Sequence, residues 1–361
     1  MLLVLVCCLC MLLVVTLLPI SYSQHYLVRS CDFIRLQVFY LACVALFGAC
    51  YFVYIQFSAM SLAAVLIAGG ILVIQGQWIY PYTWFARKEV ASSAQNATHS
   101  IRIMSANVLM SNDDYSALIG LIEQHQPDLL ITLESDANWQ QQLSCLEELY
   151  PYRIYCPKDN RYGMHLYSKY KIKQQRVCEL VEDDIPSVHV LFENAQGITM
   201  QGHFIHPAPP SPTEEDTSRP RDTELIILAK ALKNVTRPII VAGDLNDVAW
   251  SRTTRLFMQI SDLLDPRKGR GFFNTFHADY FFMRWPLDHL FHSNHFTVKR
   301  IKRLAKYGSD HFALLTELVY KPEQVKAQYS TETAHPETIE MAETLQIDSC
   351  SKRQVPTFYN D

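Results

Sequence analysis

The chain has 361 residues, room for one large domain or two small ones, and a formal net charge of −4. That charge argues against a protein that holds nucleic acid by bulk positive potential, though not against one whose phosphate site is bridged by a metal ion. Hydrophobic residues make up 49% of the chain but are unevenly spread, with the first ninety residues nearly all apolar and the last forty polar.

Residues 1–20 form an uninterrupted, uncharged apolar run just long enough to span a bilayer. A signal peptide fits less well, because a basic leading region and a clear small-x-small cleavage site are both missing. Residues 36–55 and 59–79 are second and third apolar runs, and the Gly69-Gly70 pair inside the third is tolerated in membrane helices. Trp78, Tyr80, Tyr82 and Trp84 then cluster as an interfacial aromatic belt. No span carries a charge in mid-run, where a transporter's coupling site would need one. Arg29 and Arg35 flank the first connector, the second has no charge, and Arg87 and Lys88 follow the third run. Counting Lys and Arg places the first connector and the C-terminal portion in the cytoplasm.

Residues 89–100 read as a polar linker. Beyond them the pattern alternates between strands and helices. A strand over 101–104 ends at Ser105-Ala106-Asn107. A helix over 115–125 carries Leu118, Ile119, Leu121 and Ile122 at helical spacing and stops at Pro127. Then come a buried strand over 128–133 ending at Glu134, a helix over 139–150, and strands over 162–168, 188–192 and 198–205. A Pro-rich charged loop over 207–221 leads to a helix over 223–232, a strand over 238–242 and a short helix over 256–263. Strands over 287–291 and 312–319 close the region, and 321–361, lacking any apolar period, reads as a disordered tail. Of the ten cysteines, five lie in apolar runs, and Cys145, Cys156 and Cys178 lack CxxC spacing. That pattern argues against a zinc site or a dense disulfide framework and leaves one bridge open.

Chemistry concentrates where strands stop. The strand over 238–242 meets Gly243-Asp244-Leu245-Asn246, and residues two apart in an extended stretch point the same way. A carboxylate there can take a proton from water or hold a metal, and an amide can donate to a developing oxyanion. Alone, the segment is weak evidence, because Gly-Asp-x-Asn after a strand is more often just a turn. Asn107, Glu134, His206, Asp288 and the Asp310-His311 pair also sit at strand ends. Each has a structural reading as well: a cap for Asn107, a helix-start acid for Glu134, a pairing with Arg284 for Asp288, a solvated turn for Ser309-Asp310-His311.

Six segments recur in a familiar order and at familiar intervals: Ser105-Ala106-Asn107-Val108, Leu133-Glu134, Ile205-His206-Pro207-Ala208-Pro209, Gly243-Asp244-Leu245-Asn246, Pro286-Leu287-Asp288-His289-Leu290 and Gly308-Ser309-Asp310-His311-Phe312. Over about residues 101–319 the chain resembles the endonuclease/exonuclease/phosphatase (deoxyribonuclease I-like) superfamily of metal-dependent phosphodiesterases and phosphatases. The resemblance is nearest to bacterial membrane-anchored members with three N-terminal spans. It implies an α/β fold, a four-layered sandwich of two packed mixed β-sheets flanked by helices, here preceded by three transmembrane helices. It also implies roles. Glu134 would hold Mg²⁺ or Mn²⁺, with Asn107 ligating it or touching the phosphate and Asp310 adding to the metal site. Asp244 would orient or deprotonate the attacking water, and Asn246 would donate to a non-bridging oxygen. His311 would contact the scissile phosphate with Asp288 fixing its tautomer. His206 would be a second phosphate-binding histidine, with His203 the alternative if the register differs. Some relatives place an active-site tyrosine or arginine near residues 160–164, without deciding which residue serves here.

The expected protein is therefore a membrane-anchored, Mg²⁺-dependent hydrolase of phosphate esters, in first place a phosphodiesterase. Phospholipid, nucleic acid and small phosphodiesters all remain open as substrates. A nuclease acting on DNA or RNA is the enzymatic alternative, and a membrane scaffold that keeps the fold without the chemistry is the other. The basic run Lys299, Arg300, Lys302, Arg303 and Lys306 reads as a solvated face rather than a nucleic-acid patch. The expected location is the cell (inner) membrane, multi-pass, with the side of the catalytic domain open. Charge points it inward, and the three-span relatives, by resemblance, point it outward. The expected domains are a membrane region over 1–88, the linker, a catalytic domain over 101–320 and the tail.

Overall fold

The structure, a computed structural model, describes residues 1–324, 328 and 353–358. Three helices are long and apolar enough to cross a membrane: α1 (Leu2–Leu17, continued by a 3₁₀ turn at Leu18–Ile20), α3 (Arg35–Ile55) and α4 (Ala59–Ile79). They pack around small residues, Ala42, Ala49, Ala64 and Ala68, which let the backbones approach. A short amphipathic helix, α2 (Tyr26–Phe33), joins α1 to α3 and was not foreseen from the sequence.

The rest is a sandwich of two mixed sheets. Its strands in chain order are β1 (Ser100–Asn107), β2 (Leu129–Leu133), β3 (Tyr152–Cys156), β4 (Met164–Ser168), β5 (Lys171–Cys178), β6 (Ser187–Glu193), β7 (Thr199–Phe204), β8 (Ile239–Asp244), β9 (Asp288–His292), β10 (Phe296–Arg303) and β11 (Leu314–Tyr320). One sheet runs β10-β11-β1-β2-β4-β3 and the other β5-β6-β7-β8-β9. Each has one parallel pair near its middle, β1 with β2 and β7 with β8, while the other pairs are antiparallel. Alternation decides which side chains meet. Ile101 and Ile103 of β1 face Ile240 and Ala242 of β8 across the central core. Their neighbours Met104 and Ala106 point outward onto α5 (Tyr115–His125) and α6 (Ala137–Gln142). Ile239 and Val241 likewise pack on α7 (Arg219–Leu232) and α8 (Arg252–Ser261). The expected four-layered sandwich is thus the observed one.

Two segments are more structured than expected. The stretch 89–100 is packed down: Val90 joins the central core, and buried Glu89 accepts the Asp265 N–H at 2.9 Å and pairs with Lys268 at 3.2 Å. At the other end, Val355 packs among the buried residues over α7 and Phe358 lies against His203. The remainder of the expected tail, 325–327, 329–352 and 359–361, lies outside the described residues. The helix expected over 139–150 is α6 plus a 3₁₀ turn at Leu143–Leu146.

The apolar N-terminal region is docked to the sandwich rather than tethered to it. Tyr82 Oη donates to the Ala249 carbonyl at 2.6 Å, and Trp250 Nε1 donates to the Asp32 carbonyl at 2.8 Å. The Trp78 ring lies between the guanidinium groups of Arg35 and Arg255, at 4.5 and 4.7 Å.

Candidate active site

Strand phase gathers the site. Asn107 shares the phase of Ile101 and Ile103, Asp244 that of Ile240 and Ala242, and Asp288 that of Leu290. All three therefore project between the sheets at one end of the sandwich. His203 lies one residue before inward-facing Phe204, so it points the other way. There its Nδ1 meets the ring of His189 at 2.9 Å, far from the chemistry, and His206 takes the place beside Asp244.

The turns that end these strands are tight. Gly243 holds φ +153°, and a Cβ there would sit 1.9 Å from the Ile205 carbonyl oxygen, so the position accepts no side chain. Glu134 and Asn246 adopt left-handed backbone, at φ 58° and 50°. Such conformations are costly for residues with side chains and collect at functional sites.

A chain of short polar contacts results. His311 Nδ1 lies 2.8 Å from Asp288 Oδ2 and its Nε2 lies 3.5 Å from Asp244 Oδ2. His206 Nε2 is 4.0 Å from the same Asp244 oxygen. Asp244 Oδ1 accepts the Asn246 N–H at 2.9 Å. Asn107 Nδ2 donates to Glu134 Oε1 at 2.9 Å and to Asp244 Oδ2 at 3.1 Å, while its Oδ1 accepts the Leu109 N–H. The Asn246 amide donates to the Pro207 carbonyl at 3.0 Å. Burial opposes charge on His311, but Asp288 and Asp244 outweigh it and push its pKa up to about 10. Burial also works against the Asp244 carboxylate, yet His311 and then His206 hold it below its ordinary range. His311 is thus a cation set between the Asp244 and Asp288 carboxyl groups, and burial raises the pKa of Asp288 against the opposing pull of His311.

Glu134, His206, Asp244, Asn246, Asp310 and His311 line one cavity of about 430 Å³. Asn107 and Asp288 stand directly behind that lining. The sequence pattern did not single out Arg161 and Tyr162 within residues 160–164, but both reach the cavity. The Tyr162 ring lies 5.3 Å from that of His206, and its hydroxyl donates to Glu214. At the site, Glu134 Oε2, Asp288 Oδ1 and His206 Nδ1 are buried with no hydrogen-bond partner among the described residues.

Two buried arginines, invisible in the sequence because they fall in stretches read as loops, brace the site from behind. Arg221 Nη1 donates to the Asn246 carbonyl at 2.8 Å, and Arg221 pairs with Asp222 and Asp247 at 2.9 and 3.3 Å. Arg267 pairs with Asp265 at 2.8 Å, donates to the Asp288 carbonyl at 3.3 Å and meets His289 Nδ1 at 2.7 Å. Tyr307 and Ser309 hydroxyls both donate to the Asn107 carbonyl, at 2.6 and 2.7 Å.

The model of the Endonuclease/Exonuclease/phosphatase family matches residues 104–311, the span from β1 to His311. The chain belongs to that family. Its catalytic fold is shared with humanized D. rerio TDP2 (TM-score 0.52, 14% identity, covering 61% of this chain and 99% of that one). The human Nocturnin catalytic domain with bound sulfate is similar at TM-score 0.52 and 18% identity, covering 62% of this chain and 94% of that one. An endonuclease/exonuclease/phosphatase family protein of Bacteroides thetaiotaomicron is similar at TM-score 0.50 and 21% identity, covering 62% and 98%. At these identities the likeness is one of fold. No curated protein matches the chain.

Enzymes of this family hydrolyse phosphate esters and generally use divalent metals, and the donor set here suits such an ion. Glu134 lines the cavity with one carboxylate oxygen buried and unpartnered, and Asp310 lines the same cavity. Hard oxygen donors of this kind fit Mg²⁺ or Mn²⁺. The ligand atoms of Asp244, Asp288 and His311 also lie within 4.8 Å of one another.

Proposed function

We propose that the protein is a membrane-anchored, divalent-metal-dependent phosphodiesterase, with residues 1–88 as its membrane region and 101–320 as its catalytic domain. The observation that carries this reading is the Asp288–His311–Asp244 string beside a Glu134 oxygen that has no partner among the described residues.

Glu134, with Asp310, would hold the cation. The Asp244–Asp288–His311 cluster suits it less, because both His311 nitrogens already face carboxylates as donors. When bound, Mg²⁺ or Mn²⁺ neutralises charge on the phosphate oxygens and lowers the basicity of the departing alkoxide. The residues supply the rest. Asp244 orients a water and takes its proton as the water oxygen bonds to phosphorus. The Asn246 amide, His206 and the His311 N–H donate to the non-bridging oxygens, where charge accumulates. The bond from phosphorus to the leaving oxygen breaks, the alkoxide takes a proton from solvent, and Asp244 returns its own to solvent. Asp288 keeps His311 protonated and aligned, as second-sphere carboxylates do. Asn107, spent on Glu134 and Asp244, fixes those two carboxylates relative to each other.

The basic run gives the nuclease alternative little support. Lys299 pairs with Glu317 at 3.0 Å, Lys306 pairs with Asp279, and Arg303 stacks on Phe312. The test is turnover of bis(p-nitrophenyl) phosphate by the full chain in detergent with Mg²⁺. We expect chelator-sensitive hydrolysis that His311→Ala abolishes. Hydrolysis that survives both chelation and the substitution would sink the assignment.

A further inference from the structure

The catalytic cavity is not built by the sandwich alone. Ser30 and Phe33 of α2, with Ile34 at the start of α3, form one of its walls. These residues belong to the connector between the first two membrane helices. Phe276, Trp285 and Leu287 continue the apolar lining away from the phosphate-facing groups. Phe33 packs edge-on against Trp285 at 5.7 Å, so the connector and the sandwich join in one apolar cluster. The exposed side of that cluster lines the cavity that ends at His311 and Asp244.

The segment that follows Phe276 also touches the apolar helices. Gln37, in the first turn of α3, donates its amide to the Phe282 carbonyl at 3.0 Å. That contact sets the loop Tyr280–Phe281–Phe282–Met283 beside the end of a membrane helix. Its four side chains are exposed by 52, 78, 61 and 45%. Four consecutive large apolar side chains held out in this way are costly in water and at home in an interface. Trp84 and Phe85, at the end of the membrane region, are likewise exposed. The wall is also rigid: Asp32, which follows Cys31 in α2, is fixed to Trp250 through its carbonyl and to Arg35 through its carboxylate at 2.7 Å.

We propose that the substrate is a lipid phosphodiester taken from the bilayer, its phosphate at Asn246, His206 and His311 and its chains against the Phe33–Ile34 and Phe276–Trp285 walls. This rests on the phosphodiesterase reading above and adds its substrate class. The loop Tyr280–Met283 would enter the interface beside the cleft and lead the lipid in. Hydrolysis is that already described, with the headgroup or diacylglycerol oxygen departing as an alcohol.

The test uses the full chain in nanodiscs, with Mg²⁺ and four substrates: bis(p-nitrophenyl) phosphate, dihexanoyl and dioleoyl phosphatidylglycerol, and supercoiled plasmid. The two phosphatidylglycerols share one diester and differ only in chain length. We expect kcat/KM to rise by about tenfold or more from the short to the long chain, the scale on which added methylenes in an apolar pocket are discriminated. Phe33→Ser, and separately the Phe281→Ser/Phe282→Ser pair, should shrink that ratio. Equal rates on both chains, with chelator-sensitive hydrolysis of bis(p-nitrophenyl) phosphate intact, overturn the lipid inference and leave the phosphodiesterase reading standing. Plasmid cleaved in preference to both lipids overturns it in favour of nucleic acid. If nothing is hydrolysed, the phosphodiesterase reading fails, and a phosphatidylglycerol with a chain-borne diazirine decides about the cleft. Labelling at residues 30–37 and 276–287 supports the lipid site, and labelling confined to the outer faces of α1, α3 and α4 overturns it.

Discussion

Two groups of buried charge lie a few ångströms apart and are built on opposite principles. Behind the cavity, Arg221 and Arg267 are matched to Asp222, Asp247 and Asp265, and their remaining donors end on backbone carbonyls and His289. In the cavity, Glu134 Oε2 and His206 Nδ1 are buried without partners among the described residues, and His311 is shared between two carboxyl groups. A buried polar atom left unpaired costs about 1–3 kcal/mol, so it survives where something other than stability keeps it. The difference separates scaffold from chemistry more sharply than residue type does, since both groups are made of Asp, His and Arg or Glu.

The comparison breaks most violently at Arg267. Arg267→Ala strands the Asp265 carboxylate in the interior, and losing one partner of a buried pair costs about 3–5 kcal/mol. We expect a large drop in the thermal midpoint of the detergent-solubilised chain. Arg267→Met with Asp265→Leu should recover much of it, because no charge is then left alone. An unchanged midpoint in Arg267→Ala would mean the pair is not the brace it looks. Asp244→Asn should weigh more on turnover than on the fold. It keeps the shape but neutralises a carboxylate that His311 and His206 hold below its ordinary pKa, so the midpoint should fall modestly. Turnover should fall by about a hundredfold or more, the usual effect of deleting one preorganised charge-handling group. Wild-type turnover in Asp244→Asn would take this residue out of the chemistry.

This split also explains what could be read from the sequence. The cavity residues were legible because each lies beside the start or end of a strand whose apolar run announces it, as Ile239 to Ala242 announces Asp244. The braces were not. Arg221 and Arg267 sit in charged, proline-containing stretches that look solvated until their partners from distant parts of the chain are in place. The strands that escaped notice share another cause. β3 and β10 are the two edges of one sheet, and β5 is an edge of the other. Edge strands carry charge on their open side, as Lys171, Lys173 and Arg176 do on β5, and lose the apolar alternation that marks a strand. Helix α2 was hidden by its length and by Arg29, Asp32 and Arg35, which read as connector charges but pair with one another. Its place in the cavity wall follows from the docking of the apolar N-terminal helices on the sandwich, which no local pattern encodes.

Glu134 sharpens the comparison from the other side. If its free oxygen is kept for a cation, Glu134→Ala should leave the fold intact and raise the Mg²⁺ concentration needed for half-maximal turnover. A shift of about 10–100-fold is the scale expected when a metal's immediate surroundings are altered. Direct Mn²⁺ binding followed by electron paramagnetic resonance gives the same answer without relying on turnover. Unaltered Mn²⁺ affinity would return the cation to the Asp244–Asp288–His311 cluster.

The smallest predicted effect tests whether an unpaired buried group by itself marks chemistry. His165 on β4 has neither ring nitrogen partnered among the described residues, yet it faces away from the cavity and packs on Tyr155 at 5.3 Å and Tyr167 at 6.2 Å. Burial pulls its pKa down to about 4, against a weaker pull from Asp136. The folded value lies below the unfolded value of about 6.5, so the unfolded chain binds this proton first. The contribution is therefore complete above about pH 6.5 and is lost as pH falls toward 4, at about 1.4 kcal/mol per pH unit. His165→Phe keeps the ring contacts and removes the titration. It should match or exceed the wild-type midpoint at pH 7, lose less stability between pH 6.5 and 4, and leave turnover unchanged. A fall in turnover without a fall in stability would extend the chemical group across the sheet. The expected result confines it to buried atoms that also line the cavity, which is the property Glu134 and His206 share and His165 lacks.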